Sequence, residues 1–191
     1  MHPFYYKVKS SFNPLKDMSI LESFDKEKSW KYSLPLDHAS EDLLSFERGP
    51  FSLSLIEVFV TKKFDRLGCH IDADCPAGSI KLNFRYGDSD SHMQWMEIRE
   101  IHGPKSEYIS DDLNSKDWDN PTLVFDDSKM NIICSAQIDT PTVVNVSLPH
   151  GLNNEESRQP LVTVATIFDD ESGHKMTMDD ALKWWNDDIT Q

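Results

Sequence analysis

Between residues 51 and 168 the chain is a succession of short apolar segments broken by turn residues, and this pattern limits what it can fold into. Residues 51–60 are rich in Leu, Ile, Val and Phe. Residues 79–86 alternate strictly, with Ile80, Leu82, Phe84 and Tyr86 on one face and Lys81, Asn83 and Arg85 on the other, the period-two pattern of an extended strand. Further short segments follow at 92–98, 122–125, 131–138, 142–148 and 161–168. Gly87-Asp88, Asn120-Pro121, Asp126-Asp127-Ser128 and Asn153-Asn154 supply turn chemistry between them. Many short strands at this spacing predict an antiparallel sandwich or barrel, because βαβ units would need helical stretches between the strands.

The flanks read differently. Residues 19–24 and 40–46 carry short helical patterns, the second with Ser40 as a cap, and residues 177–187 predict a final helix capped by Thr177. A chain of 191 residues is long enough for one compact domain with a sizeable core. The expected organisation over 1–191 is therefore an N-terminal buttress or lid (1–50), a β core (51–168) and a C-terminal helix (169–191).

Composition narrows the function classes. A net charge of −14 disfavours nucleic acid as a substrate, since that affinity comes mainly from Lys and Arg neutralising phosphates. It also means that a small dianionic ligand would need a sheltered cation. Three cysteines, Cys69, Cys75 and Cys134, fit reduced thiols better than a disulfide framework. No apolar run approaches the roughly 20 residues that span a bilayer, and the N-terminus lacks the order of a secretory signal. The expectation is a soluble cytoplasmic protein.

Chemistry concentrates in a few positions. His70-Ile71-Asp72 falls where a strand is due, and residues two apart on a strand share a face, so imidazole and carboxylate can converge on one metal ion. Two His and one carboxylate on one face of an octahedron leave three positions open, the arrangement of non-haem iron(II) oxygenases. A second imidazole, His150, follows an apolar strand and Pro149. Arg158 stands at the start of what reads as the hairpin partner of that strand, placed to hold a carboxylate with two parallel hydrogen bonds. Asn83 is a candidate hydrogen-bond partner for the other end of such an oxoacid.

The ordered set His70-Ile71-Asp72, His150, Arg158, with His150 80 residues after His70 and Arg158 eight after His150, resembles the iron(II)/2-oxoglutarate-dependent dioxygenase superfamily. The resemblance covers roughly residues 51–168 and extends to Ser79-Ile80-Lys81-Leu82-Asn83-Phe84 and Gln94-Trp95-Met96-Glu97. It implies a double-stranded β-helix (jelly-roll or cupin-like) with flanking short helices. It also implies Fe(2+) and 2-oxoglutarate as cofactor and cosubstrate, metal ligation by His70, Asp72 and His150, and anchoring of the far carboxylate by Arg158. Three features depart from the family pattern: the short His150-to-Arg158 gap, Pro160 where several subfamilies place Ser, and Asp74 as a second carboxylate near the metal.

The expected activity is hydroxylation of a small molecule or a protein side chain, with selectivity set by the first 50 residues and by loops after Gly87 and over 103–121. The alternative from another class is a non-catalytic β-helix binding protein with a vestigial or structural metal site. A cupin-type enzyme without 2-oxoglutarate is less consistent, because cupins commonly use His-x-His and this chain has His-x-Asp.

Overall fold

The computed structural model describes residues 4–72, 75–87, 90–98 and 122–190; Asp74 and the loop over 103–121 lie outside them. Strand is the predominant secondary structure of the described residues, arranged in two antiparallel sheets with few helices. Strands β1 (Tyr5–Val8), β2 (Trp30–Leu34), β3 (Ser52–Thr61), β4 (Asp65–Asp72), β5 (Ile80–Tyr86) and β6 (His92–Ile98) precede β7 (Thr122–Val124) and β8 (Met130–Ala136). They are followed by β9 (Thr142–Asn145), β10 (His150–Asn154), β11 (Leu161–Asp169) and β12 (Ile189–Thr190). One sheet runs β12-β1-β9-β5-β11-β3-β2 and the other β7-β4-β10-β6-β8. Successive strands from β3 onward mostly change sheet, so chemistry carried by β4 and β10 meets chemistry carried by β3 and β5.

The first 50 residues contain the two expected helical pieces, a 3-10 turn over Met18–Glu22 and helix α1 (Glu41–Leu44). The Ser40 hydroxyl caps α1 by accepting the Leu43 N–H. The same region also supplies β1 and β2, which extend the seven-stranded sheet. The final helix, α2 (Met178–Trp184), starts in a capping box between Thr177 and Asp180.

Alternation decides what each face of the larger sheet meets. Ile56, Val58 and Val60 of β3, Ile80, Leu82 and Phe84 of β5, and Val162 and Val164 of β11 form one core with Leu43, Phe46, Met178, Ala181 and Trp185 from the flanking segments. Each such side chain taken out of water contributes roughly 1.5–3 kcal/mol. The terminal segments thus cover this face, and Trp185 is fixed there by donating Nε1–H to the Phe46 carbonyl at 2.9 Å. The opposite face of the same strands presents Phe59, Lys81, Asn83, Thr163 and Ala165 to a cavity, with Glu57 buried on the same face.

A second core closes the far end of the space between the sheets, with Met93, Trp95 and Ala136 packed against Val144 and Val146. Trp95 is fully buried, donates Nε1–H to the Asn145 carbonyl at 2.9 Å, and stacks on Tyr5 at 5.6 Å. All three cysteines are free thiols. Among the described residues no helix is long and apolar enough to cross a membrane.

Candidate metal centre

His70 and Asp72 lie near the end of β4, on one face as their spacing predicts. His150 opens β10, and the antiparallel register sets it directly opposite His70. One ligand atom from each of His70, Asp72 and His150 falls within 4.8 Å of the others, close enough to share a metal ion. The two rings lie 4.3 Å apart, tilted by 50°, and His70 Nε2 is 3.7 Å from Asp72 Oδ1.

Hydrogen bonds settle which nitrogens face inward. The His70 Nδ1–H donates to the Gly68 carbonyl and the His150 Nδ1–H to the Leu148 carbonyl, each at 2.8 Å. A carbonyl only accepts, so each Nδ1 carries the proton, and in the neutral ring Nε2 is the unprotonated nitrogen. This is the outer-shell arrangement that fixes tautomer and ring orientation in metal sites. Burial pushes both imidazole pKa values down, His150 to about 3, so both rings are neutral near neutral pH.

Asp72 completes the set as an anion. Burial raises its pKa, but the Lys81 ammonium together with His150 and His70 outweighs that and holds the carboxyl well below the usual carboxylate range. Lys81 Nζ lies 2.8 Å from Asp72 Oδ2 and 2.8 Å from Glu57 Oε2, and Lys31 Nζ lies 3.2 Å from Glu57 Oε1. Burial lowers the Lys81 pKa, and the two carboxylates raise it more, so it stays charged. Glu57 is 1% exposed, so this row of alternating charges is sealed from water at its centre.

The triad faces a cavity of ≈ 280 Å³ between the sheets, with Phe59, Lys81, Asn83 and Thr163 across from it and Trp30 and Lys31 at its edge. Asn83 lines the cavity, and its Oδ1 is buried without a protein hydrogen-bond partner. An acceptor desolvated in that way favours a donor from a ligand or water.

Arg158 is not brought to this site. It is exposed, lies between β10 and β11, and is not among the residues lining the cavity. The reason is topological: β10 and β11 belong to different sheets and do not form a hairpin, so the intervening residues cross outside. His150 likewise begins its own strand instead of ending the preceding one, and Asn153-Asn154 finish that strand opposite Arg66 and Asp65. Sequence reading missed Glu57 and Lys31. A lone Glu inside an apolar strand was the available signal for Glu57; for Lys31 there was none.

No protein-family model matches the chain, and no curated protein matches it.

Proposed function

We propose that the protein is an iron(II)- and 2-oxoglutarate-dependent oxygenase built on a double-stranded β-helix, acting on a small molecule or a protein side chain. The observation that carries this reading is the triad itself: two imidazoles, each anchored through Nδ1–H to a backbone carbonyl, and one carboxylate, gathered at a buried cavity. Imidazole and carboxylate together suit a first-row divalent metal, and two His with one carboxylate is the donor set of non-haem iron(II) oxygenases. Strand order supports the fold, since β9-β5-β11-β3 faces β4-β10-β6-β8 as the two layers of a chain wound back and forth between them.

Charge supports a dianionic cosubstrate. With both imidazoles neutral, the ammonium groups of Lys31 and Lys81 balance the carboxylates of Glu57 and Asp72. A divalent metal would leave the buried site at plus two, which a dianion neutralises. Bound iron and 2-oxoglutarate would supply the oxidising chemistry. The chain's residues hold the metal through His70, Asp72 and His150, offer Lys31 and Asn83 to polar groups of the cosubstrate, and exclude water with Phe59 and Met93.

A second reading has its own support. Both cavity ammonium groups already meet carboxylates, and Arg158 stays outside, as in a metal-bearing domain without catalysis. Anaerobic iron(II) titration followed by aerobic incubation with labelled 2-oxoglutarate separates the two. Stoichiometric iron binding with slow succinate release supports the oxygenase. Iron binding without 2-oxoglutarate binding or turnover supports the second reading, and no iron binding overturns both.

A further inference from the structure

Lys81 reaches from β5 in one sheet to Asp72 on β4 in the other, and its contacts are unusually complete. Nζ meets Asp72 Oδ2 and Glu57 Oε2, each at 2.8 Å, and lies 5.2 Å from the centre of the Phe59 ring. An ammonium has three N–H donors, so two carboxylates and one aromatic face use its capacity. Glu57 cannot release it to solvent, being buried and held in turn by Lys31.

That arrangement leaves Asp72 with two unlike oxygens. Oδ1 faces His70 Nε2 at 3.7 Å, whereas Oδ2 is occupied by Lys81. A carboxylate ligates a metal through one oxygen or through both, and an unrestrained one can swing between the modes. With two imidazoles already bound, single-oxygen ligation leaves three of six octahedral positions open, and two-oxygen ligation leaves two. A chelating oxoacid and a third ligand need all three.

We propose that Lys81 is a positioning residue that keeps Asp72 Oδ2 off the metal, so that the site retains three exchangeable positions, with Glu57 and Lys31 locking the ammonium in place. This rests on the metal-site reading above. It differs from the assignment of any ligand, because Lys81 touches no metal and acts only through Asp72.

The test loads the metal-free protein with manganese(II) and counts bound waters from line broadening of the manganese resonance in oxygen-17 water. Wild type is expected to hold three waters. Lys81→Met is expected to hold two, as Asp72 closes onto the metal with both oxygens. Because that variant strands two buried carboxylates, Lys81→Met combined with Glu57→Gln removes one charge of each sign and serves as the variant that keeps its fold, checked by thermal melting. It too is expected to hold two. Glu57→Gln alone leaves Lys81 on Asp72 and should keep three, which a merely structural effect of disturbing the charged row would not reproduce. Three waters in every folded variant would overturn the role of Lys81 while leaving the metal site standing. Failure of wild type to bind manganese would overturn the metal site and this role together.

Discussion

His70 and His150, 80 residues apart in sequence, are direct cross-strand partners whose rings lie 4.3 Å apart. Side chains at directly opposed positions of an antiparallel pair are held about 4.5–5.5 Å apart at Cβ by the ladder itself. Their separation is therefore set by backbone pairing, and the candidate site is preorganised for an ion.

A preorganised triad predicts one divalent ion per chain. His70→Ala, Asp72→Ala and His150→Ala should each weaken iron(II) or cobalt(II) binding at least about a hundredfold, beyond the 10–100-fold typical of losing an outer-shell partner. Calorimetric titration of the metal-free protein checks this. Wild-type affinity retained by any one variant would remove that residue from the site.

Acid should destabilise the metal-free fold. His150 titrates near 3 when folded, through burial and the neighbouring His70, against about 6.5 when unfolded. Between those values the unfolded chain binds the extra proton, so the stabilisation present above about 6.5 is lost as pH falls toward 3. The depressed Asp72 pKa acts with the same sign below the ordinary carboxylate range. Melting temperature measured with chelator should drop between pH 7 and pH 5, and His150→Gln should flatten that slope. An equal slope in both proteins would sink the assignment to His150.

Gly151, next to His150 on β10, lets that strand pass close against β4. A Cβ there would sit 2.7 Å from the Leu67 carbonyl oxygen and 3.1 Å from Met96 Cε. Backbone cannot give way as a side-chain tip can, so Gly151→Ala should cost roughly 1–3 kcal/mol, the usual range for overpacking. It should also push β10 from β4 and weaken metal binding alongside the loss in melting temperature. A variant with wild-type stability would mean that the two strands pack less closely than this.

Several of these features were legible in the sequence because they depend on local pattern. The strands at 79–86 and 92–98, the caps Ser40 and Thr177, and the His70/Asp72 pairing follow from period and spacing. What the sequence hid is set by the sheet order. Asn153-Asn154 reads as a turn, but Asn154 Nδ2 donates to the carbonyls of Lys62 and Gln159 and so ties the end of β10 to its surroundings. Lys81 and Asn83 occupy the polar face of β5, which alternation alone suggests is wet. That face is internal, because residues from both termini cover the apolar one. No local signal pairs Lys81 with Glu57, since β11 lies between their strands.

If the protein binds 2-oxoglutarate as proposed, Arg158 is not placed to hold its far carboxylate. An exposed guanidinium outside the cavity interacts through water and is screened by salt, which limits it to about 0–1 kcal/mol. Lys31 lines the cavity with its side chain 14% exposed, and its contact with Glu57 is longer than that of Lys81, 3.2 Å against 2.8 Å. Of the two lysines it is the one with a single carboxylate contact, so it can hold Glu57 and still offer N–H donors to an incoming anion, where a charge-assisted hydrogen bond is worth roughly 1.5–3 kcal/mol. Lys31→Met should therefore weaken 2-oxoglutarate binding by about tenfold or more, at roughly 1.4 kcal/mol per decade, with metal affinity little changed. Arg158→Ala should change it by less than about threefold. Anaerobic titration of 2-oxoglutarate into the iron(II) forms of wild type and both variants measures the contrast. The opposite ranking would mean that Arg158 folds into the cavity when the anion binds and would return the anchoring role to it.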